Sequence, residues 1–453
     1  MNFAKGFPDC FKSYRHDVSE QARQYLNGLM QAGDRKNMKR MTDVVPDSNQ
    51  QSLQQFVSNS RWDSEKVIGQ VAQEANRRVG DGQDAGLMID ETGFIKKGDR
   101  SVGVARQYIG RLGKVDNGQI AVFGVLNRGT RSTPVDVRLY LPEEWVQDTD
   151  RCERAGIPKE QRILKTKPQL ALEIVEQARE RKLRFGWVGG DCGYGSNPEL
   201  LNAIDDQEEL FLFDVQKDQR FYLQDPAPQI PNRRGSGRGR APSKAKTGEV
   251  AVRVDKWVEQ ADPKDWRRVY VRDTTKGRLE VEVLHRLVWI WDETQPEGRH
   301  WHLIVRRNPE TKQDLKYSLS NANKETQVKR LAWMQGQRYW VERSFEDGKS
   351  ESGMADYQVL GWVAWHHHMA LVMMAMLFMS IERIRNPKSH PLLSCADIEA
   401  LLAHFLPRRD TSVEAVLRQM TARHKRRQEA IESACRVQRR EARKAGSKVT
   451  KQN

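Results

Sequence analysis

Residues 85–98, AGLMIDETGFIKKG, join an apolar run to a polar and then basic end. Leu87, Met88 and Ile89 are typical of a buried β-strand, and Asp90 follows them directly. In α/β sheets, ligands bind beyond the carboxyl ends of the strands. A carboxylate at this place in a basic chain therefore indicates either a ligand for a cation or an Asx turn that closes the strand.

The composition of the whole chain bounds its function. It has 453 residues, with 76 Lys or Arg against 61 Asp or Glu, and a formal net charge of +15. The length predicts two or three structural units, and the excess positive charge favours a polyanionic partner, with nucleic acid as the first candidate. The five cysteines are far apart and form no CxxC pair, which argues against a disulfide framework or a zinc ribbon and favours a reducing cytoplasm. The longest apolar run, residues 369–381, is too short to span a bilayer and predicts a buried helix.

The periodicity of the sequence changes on either side of Asp90. Charged helical patterns fill the first 85 residues, where Ser48 and Asp63 are predicted helix N-caps. Strand-like and helical runs then follow in the order β, β, β, helix, β, helix, β. Strands joined through helices pair in parallel, and short turns join antiparallel strands. The order therefore predicts an α/β fold in which helices pack on a mixed sheet.

Two further segments carry candidate chemistry. Asp191 ends the predicted strand FGWVGG before the tight turn CGYGSN, where it could equally cap a helix. Farther along, residues 327–353 predict one continuous helix. On it, Arg338, Glu342 and Lys349 are spaced by four and seven residues, so they share one helical face. A solvated, salt-bridged face would have the same spacing.

Two strand-end aspartates and a helical glutamate form an oxygen-rich set suited to Mg²⁺. Two such ions about 3.5–4 Å apart stabilise the attacking and leaving oxygens of a phosphodiester displacement. Asp90, Asp191 and Glu342 are therefore candidate metal ligands. Arg338 and Lys349 would then hold the phosphate backbone of DNA.

A basic stretch, residues 231–246, is rich in Gly, Ser and Pro and cannot form a core of its own. Its cations are predicted to contact DNA phosphates, although a solvated loop would have the same composition. These cations are Arg233, Arg234, Arg238, Arg240, Lys244 and Lys246. The last forty or so residues are dominated by Arg and Lys and predict a basic helix on DNA or a disordered tail.

Several motifs in order resemble the bacterial insertion-sequence transposases of the DDE class. They are LMIDETGFIKKGDRSVGVARQYIGRLGKVDNGQIAV, RLYLPEEW, WVGGDCGYG and RYWVERSFEDGKSESGMADY. The resemblance implies an RNase H-like catalytic domain with a β-rich insertion, and it implies that Asp90, Asp191 and Glu342 are the catalytic acids. It also implies cut-and-paste transposition that uses Mg²⁺ or Mn²⁺, two ions per active site. The implied partners are double-stranded DNA, as terminal inverted repeats and as target, and a second copy of the chain in the DNA complex.

The chain departs from one motif of this family. The branch of the family that this chain resembles carries a Tyr-x2-Arg-x3-Glu-x6-Lys signature. Arg338, Glu342 and Lys349 match this signature, but Gln335 stands at the tyrosine position. Glu346, one helical turn beyond Glu342, is an alternative catalytic acid. A catalytically silent DNA-binding protein derived from a transposase therefore remains an alternative, as does a metal-dependent nuclease without strand transfer.

The functional interpretations of other aromatic, histidine and cysteine residues are weaker. In the relevant branch an aromatic residue of the insertion stacks on a flipped base, and the candidates here are Trp289, Trp291, Trp301 and Tyr317. Three consecutive histidines, residues 366–368, point about 100° apart on a helix and cannot converge on one ion. Cys192 beside Asp191 lacks the partners of a nucleophile.

The sequence thus predicts five segments in a cytoplasmic, nucleoid-associated bacterial protein. They are an N-terminal helical DNA-binding domain (1–84), the first part of the RNase H-like core (85–215), a β-rich insertion with a basic linker (216–322), the helical second part of the core (323–385) and a basic helical C-terminal region (386–453).

Overall fold

A computed structural model describes most of the chain. The described residues are 3–7, 9–13, 16–33, 35–231, 243–274, 277–385, 390 and 392–449, and the side chains of residues 4, 5, 13, 16 and 440–449 are left out. The first elements are a small antiparallel pair and four helices: β1 (Lys12–Ser13), β2 (His16–Asp17), α1 (Ser19–Gln31), α2 (Met38–Val44), α3 (Gln50–Ser58) and α4 (Ser64–Arg78).

Polar side chains begin these helices, though not all of those predicted. The Asp63 carboxylate accepts hydrogen bonds from backbone N–H groups in the first turn of α4, as predicted. The prediction for Ser48 is wrong, because Asn49 caps α3. The Ser48 hydroxyl is buried and donates to the carbonyl of Val45.

The sheet that follows has a mixed centre. Its first six strands are β3 (Gly86–Ile95), β4 (Ala105–Ile109), β5 (Lys114–Arg128), β6 (Arg131–Leu139), β7 (Trp187–Gly190) and β8 (Phe211–Val215). β3 and β6 pair antiparallel with the long β5, and β3, β7 and β8 run parallel to each other as neighbours. The central order β6–β5–β3–β7–β8 confirms the expected RNase H-like mixed sheet flanked by helices.

Helical crossovers create the parallel part of this sheet. They are α5 (Glu143–Gln147), α6 (Thr149–Arg154), α7 (Lys167–Glu180), α8 (Cys192–Gly195) and α9 (Pro198–Asp206). A capping box between Thr166 and Gln169 begins α7, which packs its apolar face on β5 and β6. Parallel neighbours need such crossovers, since a short turn cannot return the chain to the same end of the sheet.

The inserted segment is rich in strands and extends the same sheet. It contains β9 (Arg220–Phe221), β10 (Val252–Arg253), α10 (Val254–Glu259), β11 (Arg267–Thr274), β12 (Gly277–Ile290), β13 (Arg299–Arg307) and β14 (Lys316–Ser320). β14 pairs antiparallel with β8, and β13, β12 and β11 follow in turn, which brings the described sheet to ten strands. The insertion is therefore continuous with the edge of the central sheet.

Five helices complete the fold: α11 (Val328–Gly336), α12 (Arg338–Glu351), α13 (Trp362–Arg385), α14 (Cys395–Phe405) and α15 (Val413–Val449). The sequence was read as one continuous helix across α11 and α12, and this is wrong, because the two helices are separated at Gln337. α15 confirms the helical alternative for the basic C-terminal region, and its described side chains are almost all exposed.

The most buried helix is α13, which contacts α1, α3, α4 and β6. By length and composition it would pass for a membrane-spanning helix, but 89% of its apolar 18-residue window is buried inside the protein. The predicted buried helix at residues 369–381 is thus confirmed. One hydrophobic core joins this helix, the N-terminal helices and the sheet.

Candidate active site

Asp90 and Asp191 lie side by side on neighbouring strands. In the parallel register of β3 and β7, Ile89 is opposite Gly190, and each aspartate is the next residue on its strand or just beyond it. Neighbouring strands are about 4.8 Å apart. The expected position of Asp90 at the end of its strand is wrong, since β3 continues to Ile95 by pairing with β5. It is β7 that ends here, at Gly190.

Asp191 caps the short helix α8. Its carboxylate accepts a hydrogen bond from the backbone N–H of Gly193 at 2.8 Å. Asp191 is therefore a helix N-cap, one of the two interpretations of its sequence pattern. Its position beside Asp90 is also compatible with a role as a metal ligand. A single hydrogen bond leaves further lone pairs of the carboxylate available to a cation.

Burial, and after it the nearby negative charge of Asp191, raise the pKa of Asp90 to about 7 against the opposing effect of Arg338. Its Oδ1 accepts one hydrogen bond, from the N–H of Glu91 at 2.7 Å. Two adjacent acids in a shielded position repel each other when both are ionised. A bound cation would relieve this repulsion.

Close packing of glycines positions the second acid. A Cβ on Gly195 would lie 2.0 Å from the carbonyl oxygen of Asp214, and a Cβ on Gly190 would lie 2.6 Å from the ring of Phe213. A side chain at Gly195 would push α8 away from β8, and one at Gly190 would push β7 away from β8. The glycines of GGDCGYG thus let Asp191 sit directly against the sheet.

The third predicted acid, Glu342, lies on α12 and its side chain is about half exposed. Its Oε1 accepts a hydrogen bond from Nη2 of Arg338 at 3.2 Å, one turn earlier. It is also among the charges that raise the pKa of Asp90, which places it near the aspartates. The structure therefore brings all three predicted acids to one region.

Arg338 is the central cation of this region. Its Nη1 donates to Oδ2 of Asp214 at 2.8 Å, while Nη2 faces Glu342. Burial by itself would lower the pKa of Arg338, but the charges of Asp214, Asp90, Asp191 and Glu342 raise it above its ordinary value. The guanidinium therefore stays charged and compensates for the cluster of acids.

Gln335, at the position of the signature tyrosine, is buried and faces the sheet. Its Nε2 donates to Oγ of Ser318 at 2.6 Å, and that hydroxyl donates to Oδ1 of Asp214 at 2.6 Å. Gln335, Ser318 and Asp214 thus form a chain of hydrogen bonds that ends on Arg338. The sequence motifs did not point to Asp214 or Ser318. An acid inside the apolar strand FLFDV was the available signal, since it repeats the pattern of LMID.

The last signature residue, Lys349, lies beside β3. Its Nζ donates to the hydroxyl of Thr92, two residues beyond Asp90. Burial and the charge of Arg111 lower the pKa of Lys349 to about 8, although Asp90 opposes this shift. The lysine therefore lies close to the acids, where a phosphate could reach it.

Glu346, the alternative acid, has different surroundings. Its side chain is 70% exposed and its nearest ion pair is with Arg343 at 3.4 Å. It is not among the five largest causes of the raised pKa of Asp90, whereas Glu342 is. The geometry therefore favours Glu342 over Glu346 as the third acid of the cluster.

Most of the predicted basic linker lies outside the described residues. This part includes Arg233, Arg234, Arg238 and Arg240. Lys244 and Lys246 are described and are exposed. The backbone of Lys246 pairs with that of Gln229, so the two ends of the linker are held together.

The candidate stacking aromatics differ in exposure. Trp301 and Trp291 are buried, and Trp301 packs edge-on against Phe211. Trp289 is half-buried and stacks on His300 with ring centroids 4.6 Å apart. Tyr317 is also half-buried.

The three consecutive histidines have separate partners, as predicted. His366 bonds the carbonyl of Trp362, His367 contacts the carbonyls of Val57 and Trp62, and His368 bonds the hydroxyl of Tyr25. Burial and the charge of Asp191 raise the pKa of the Cys192 thiol. This agrees with the expectation of an unreactive cysteine.

The donor set of the site suits a hard divalent cation. Asp90, Asp191 and Glu342 offer only carboxylate oxygens, the ligands that Mg²⁺ and Mn²⁺ prefer. Within the described parts of the chain, no three acidic, histidine or cysteine side chains already converge as a closed metal cluster. Glu342 is instead paired with Arg338.

Comparison with known proteins gives two similarities. A family model described as DDE superfamily endonuclease matches residues 3–278, which include Asp90 and Asp191 and end within β12. A protein of Microchaete diplosiphon named "Probable transposase for insertion sequence element IS701" is 25% identical over 365 residues, which cover 79% of this chain and 82% of that protein.

Proposed function

The chain belongs to the DDE superfamily endonucleases, and from this premise we propose that it is the DNA transposase of a bacterial insertion sequence. It cuts DNA at the ends of its element and joins the freed 3′-hydroxyls to target DNA. The similarity to a probable insertion-sequence transposase over most of both chains supports this proposal.

The observation that carries the proposal is the juxtaposition of Asp90, Asp191 and Glu342 around Arg338. The first two acids directly follow the register pair Ile89 and Gly190 of β3 and β7, and the third lies on α12, where it pairs with Arg338. The charge of Glu342 is among those that raise the pKa of Asp90, which supports a role for Glu342 together with the two aspartates. We assign the catalytic and metal-binding roles to these three acids.

The DDE superfamily implies a divalent metal in catalysis, and we propose Mg²⁺ or Mn²⁺, two ions held by Asp90, Asp191 and Glu342. Bound metal would supply activation of the attacking oxygen and stabilisation of the leaving oxygen. The residues of this chain hold the acids in place, keep Arg338 charged beside them and position the phosphate.

The proposed chemistry is two displacements at phosphorus. In the first, water attacks the phosphodiester at the element end, and the 3′ oxygen leaves as a 3′-hydroxyl while the other end keeps the phosphate. In the second, this 3′-hydroxyl attacks a target phosphodiester, and a new 3′-hydroxyl is released from the target. Arg338 and Lys349 would contact the phosphate groups during both reactions.

We propose that the DNA partners are the terminal inverted repeats and the target duplex, bound by two copies of the chain. The net charge of +15 supports a polyanionic partner. Residues 1–84 are assigned to DNA binding, residues 85–215 and 323–385 to the catalytic core, and residues 216–322 to the insertion with its basic linker. Residues 386–453 form the basic C-terminal region, and the protein would act at the nucleoid in the bacterial cytoplasm.

The proposal is tested by a transposition assay in bacterial cells. A donor plasmid carries a marker between the DNA segments that flank this gene, and marker insertions at new sites are counted. Wild type should give insertions, and Asp90→Asn, Asp191→Asn and Glu342→Gln should each reduce them by at least about a thousandfold, as expected when an essential catalytic group is lost. Glu346→Gln is the matched control on the same helix and should retain activity.

Two outcomes would contradict the proposal. Specific binding to the flanking segments with no cut or joined product would support a silent DNA-binding protein. Cutting without joining would support a metal-dependent nuclease that lacks strand transfer.

A further inference from the structure

We propose that Arg272 on β11 and Arg306 on β13 form a binding site for a DNA phosphodiester beside Glu342. The site lies where the inserted strands meet the beginning of α12, so it joins the insertion to the catalytic region. The inference rests on the proposed function, because it assigns part of the DNA path to the same site.

The sheet register places Arg306 on the face that carries the polar network of the active site. Ile304 of β13 is opposite Ser318 of β14, and Ser318 is opposite Asp214 of β8. Arg306 is two residues beyond Ile304, so its side chain projects from the same face. The junction of α11 and α12 covers this face, since Gln335 bonds Ser318.

Arg272 reaches the same junction from the outer strand. Its guanidinium lies 4.5 Å from the ring centroid of Tyr339 and 4.8 Å from that of Trp340, in the first turn of α12. These two residues directly follow Arg338, and the ring of Tyr339 is about half exposed. The aromatic rings hold the arginine in place and leave it without an acidic partner.

Asp214 and Glu342 do not supply a counter-charge for every arginine near them. Asp214 and Glu342 are both used by Arg338, as their ion pairs show. Across the described ranges, the guanidinium groups of Arg272 and Arg306 form no ion pair with a carboxylate and donate no hydrogen bond, and both side chains are half-buried. Burial lowers the pKa of Arg306, and the charges of Arg338 and Arg272 lower it further, although Asp214 opposes them.

Arg272 and Arg306 lack an anionic partner. Half-buried charges are costly unless they are paired, and Nε of Arg272 is buried without an acceptor. The guanidinium fork matches the oxygens of a phosphate group, and Arg binds phosphate better than any other side chain when the contact is bidentate. Because Glu342 is next to the cluster, a bound phosphodiester there would belong to a strand that passes through the catalytic site.

The first test measures DNA binding in the presence of a chelator, where no cutting occurs. The probe is a linear duplex of random sequence, and the dissociation constant is determined over a range of salt concentrations. Arg272→Gln and Arg306→Gln should each weaken binding about tenfold at low salt and should each reduce the slope of log affinity against log salt by about 0.9. The double variant should lose about twice that slope.

Arg286→Gln is the matched control. Arg286 lies on β12 of the same insertion, is exposed and pairs with Leu303, which places it on the opposite face from Arg306. The control should leave the slope unchanged. An equal loss in the control, or unchanged slopes in the Arg272 and Arg306 variants, would overturn the proposal.

A second measurement uses the wild-type chain, so it does not depend on the folding of any variant. Phenylglyoxal labels accessible guanidinium groups, and mass spectrometry locates the labels. Arg306 should be labelled in the free protein and protected by the duplex, while Arg286 stays labelled. Equal labelling of Arg306 with and without DNA, or equal protection by inorganic phosphate at the same phosphate concentration, would contradict a DNA site.

These results are independent of catalysis. If wild type binds DNA with the predicted arginine dependence but does not cut it when Mg²⁺ is added, the proposed function fails and the binding site stands. If wild type cuts and joins DNA but the arginine variants bind normally, the proposed function stands and the binding site fails.

Discussion

At the level of single residues, Asp90 has the clearest dependence on pH. Its pKa is raised from the ordinary value of 3.8 to about 7, chiefly by burial and then by Asp191. The folded protein therefore keeps a proton on Asp90 at pH values where the unfolded chain has lost it. Ionisation of Asp90 destabilises the metal-free fold progressively between pH 3.8 and about 7, and the effect is constant above pH 7.

Asp90→Asn should remove this dependence. In a chelating buffer, the melting temperature of the variant should exceed that of wild type by a margin that grows up to about pH 7 and then stays level. Thermal unfolding between pH 4 and 9 measures the margin. Asp150→Asn on α6, an exposed acid, is the control. A margin that does not change with pH would mean that Asp90 is not the shielded acid.

Asp214 acts on the site through Arg338. Asp214→Asn should leave Arg338 without its main counter-charge, so that the guanidinium pairs more strongly with Glu342 and competes with metal. The Mg²⁺ concentration for half-maximal cutting should rise severalfold, while DNA affinity in a chelator changes little.

The control for this prediction is Asp205→Asn, which weakens the ion pair of Asp205 with Arg299 away from the site. Its Mg²⁺ requirement should equal that of wild type. If Asp214→Asn also leaves the requirement unchanged, the pairing of Arg338 does not control the availability of Glu342.

At the level of elements, the contact of α8 with β8 decides where Asp191 lies. Gly195→Ala should lower the free energy of unfolding by at least about 2 kcal/mol, because its Cβ would meet the carbonyl oxygen of Asp214. Chemical denaturation measures the change. Gly248→Ala is the control, since a Cβ there meets nothing within 4 Å. Equal stabilities would show that α8 can move without strain.

The sequence predicted the presence of these strands and helices better than their pairing and their ends. The apolar runs GLMID and QIAVFGVLN predict strands, and the order of strands and helices predicts the mixed sheet. It could not predict that β3 runs on past Asp90, because this depends on pairing with β5. The break at Gln337 was also missed, since the pattern on either side is helical.

The candidate site was predictable to a similar extent. Local spacing and the family motif pointed to Asp90, Asp191 and Glu342. The network through Ser318 and Asp214 was missed, because its members come from β14, β8 and α11 and meet only in the fold. The buried position of Gln335 likewise follows from packing against β14, which a single sequence does not reveal.

At the scale of the whole molecule, the N-terminal helices and the catalytic core share one hydrophobic core. Trp62 stacks on His367 of α13 with ring centroids 3.8 Å apart, and Tyr25 bonds His368. The N-terminal region is therefore packed onto the core helix, although its sequence alone suggested a separate helical unit.

Truncation should reveal this difference between the two ends of the chain. A chain that starts at residue 85 should be insoluble or unfolded, since it exposes the apolar face of α13. A chain that ends at residue 410 should stay folded, because the described side chains of α15 are almost all exposed, and it should bind DNA more weakly. Size-exclusion chromatography and thermal unfolding check both. A folded, soluble chain from residue 85 would show that the shared core is dispensable.

The central claim is that Asp90, Asp191 and Glu342 form one metal-dependent catalytic site, and it is tested most directly by cutting of the flanking DNA ends in vitro. Wild type, Glu342→Gln and Glu346→Gln are compared over a Mg²⁺ titration, because the two glutamates are one turn apart on α12. We expect wild type and Glu346→Gln to release 3′-hydroxyl ends with the same Mg²⁺ dependence, and Glu342→Gln to release none while still binding DNA. Cutting by Glu342→Gln at the wild-type rate, or loss of cutting in Glu346→Gln instead, would contradict the claim.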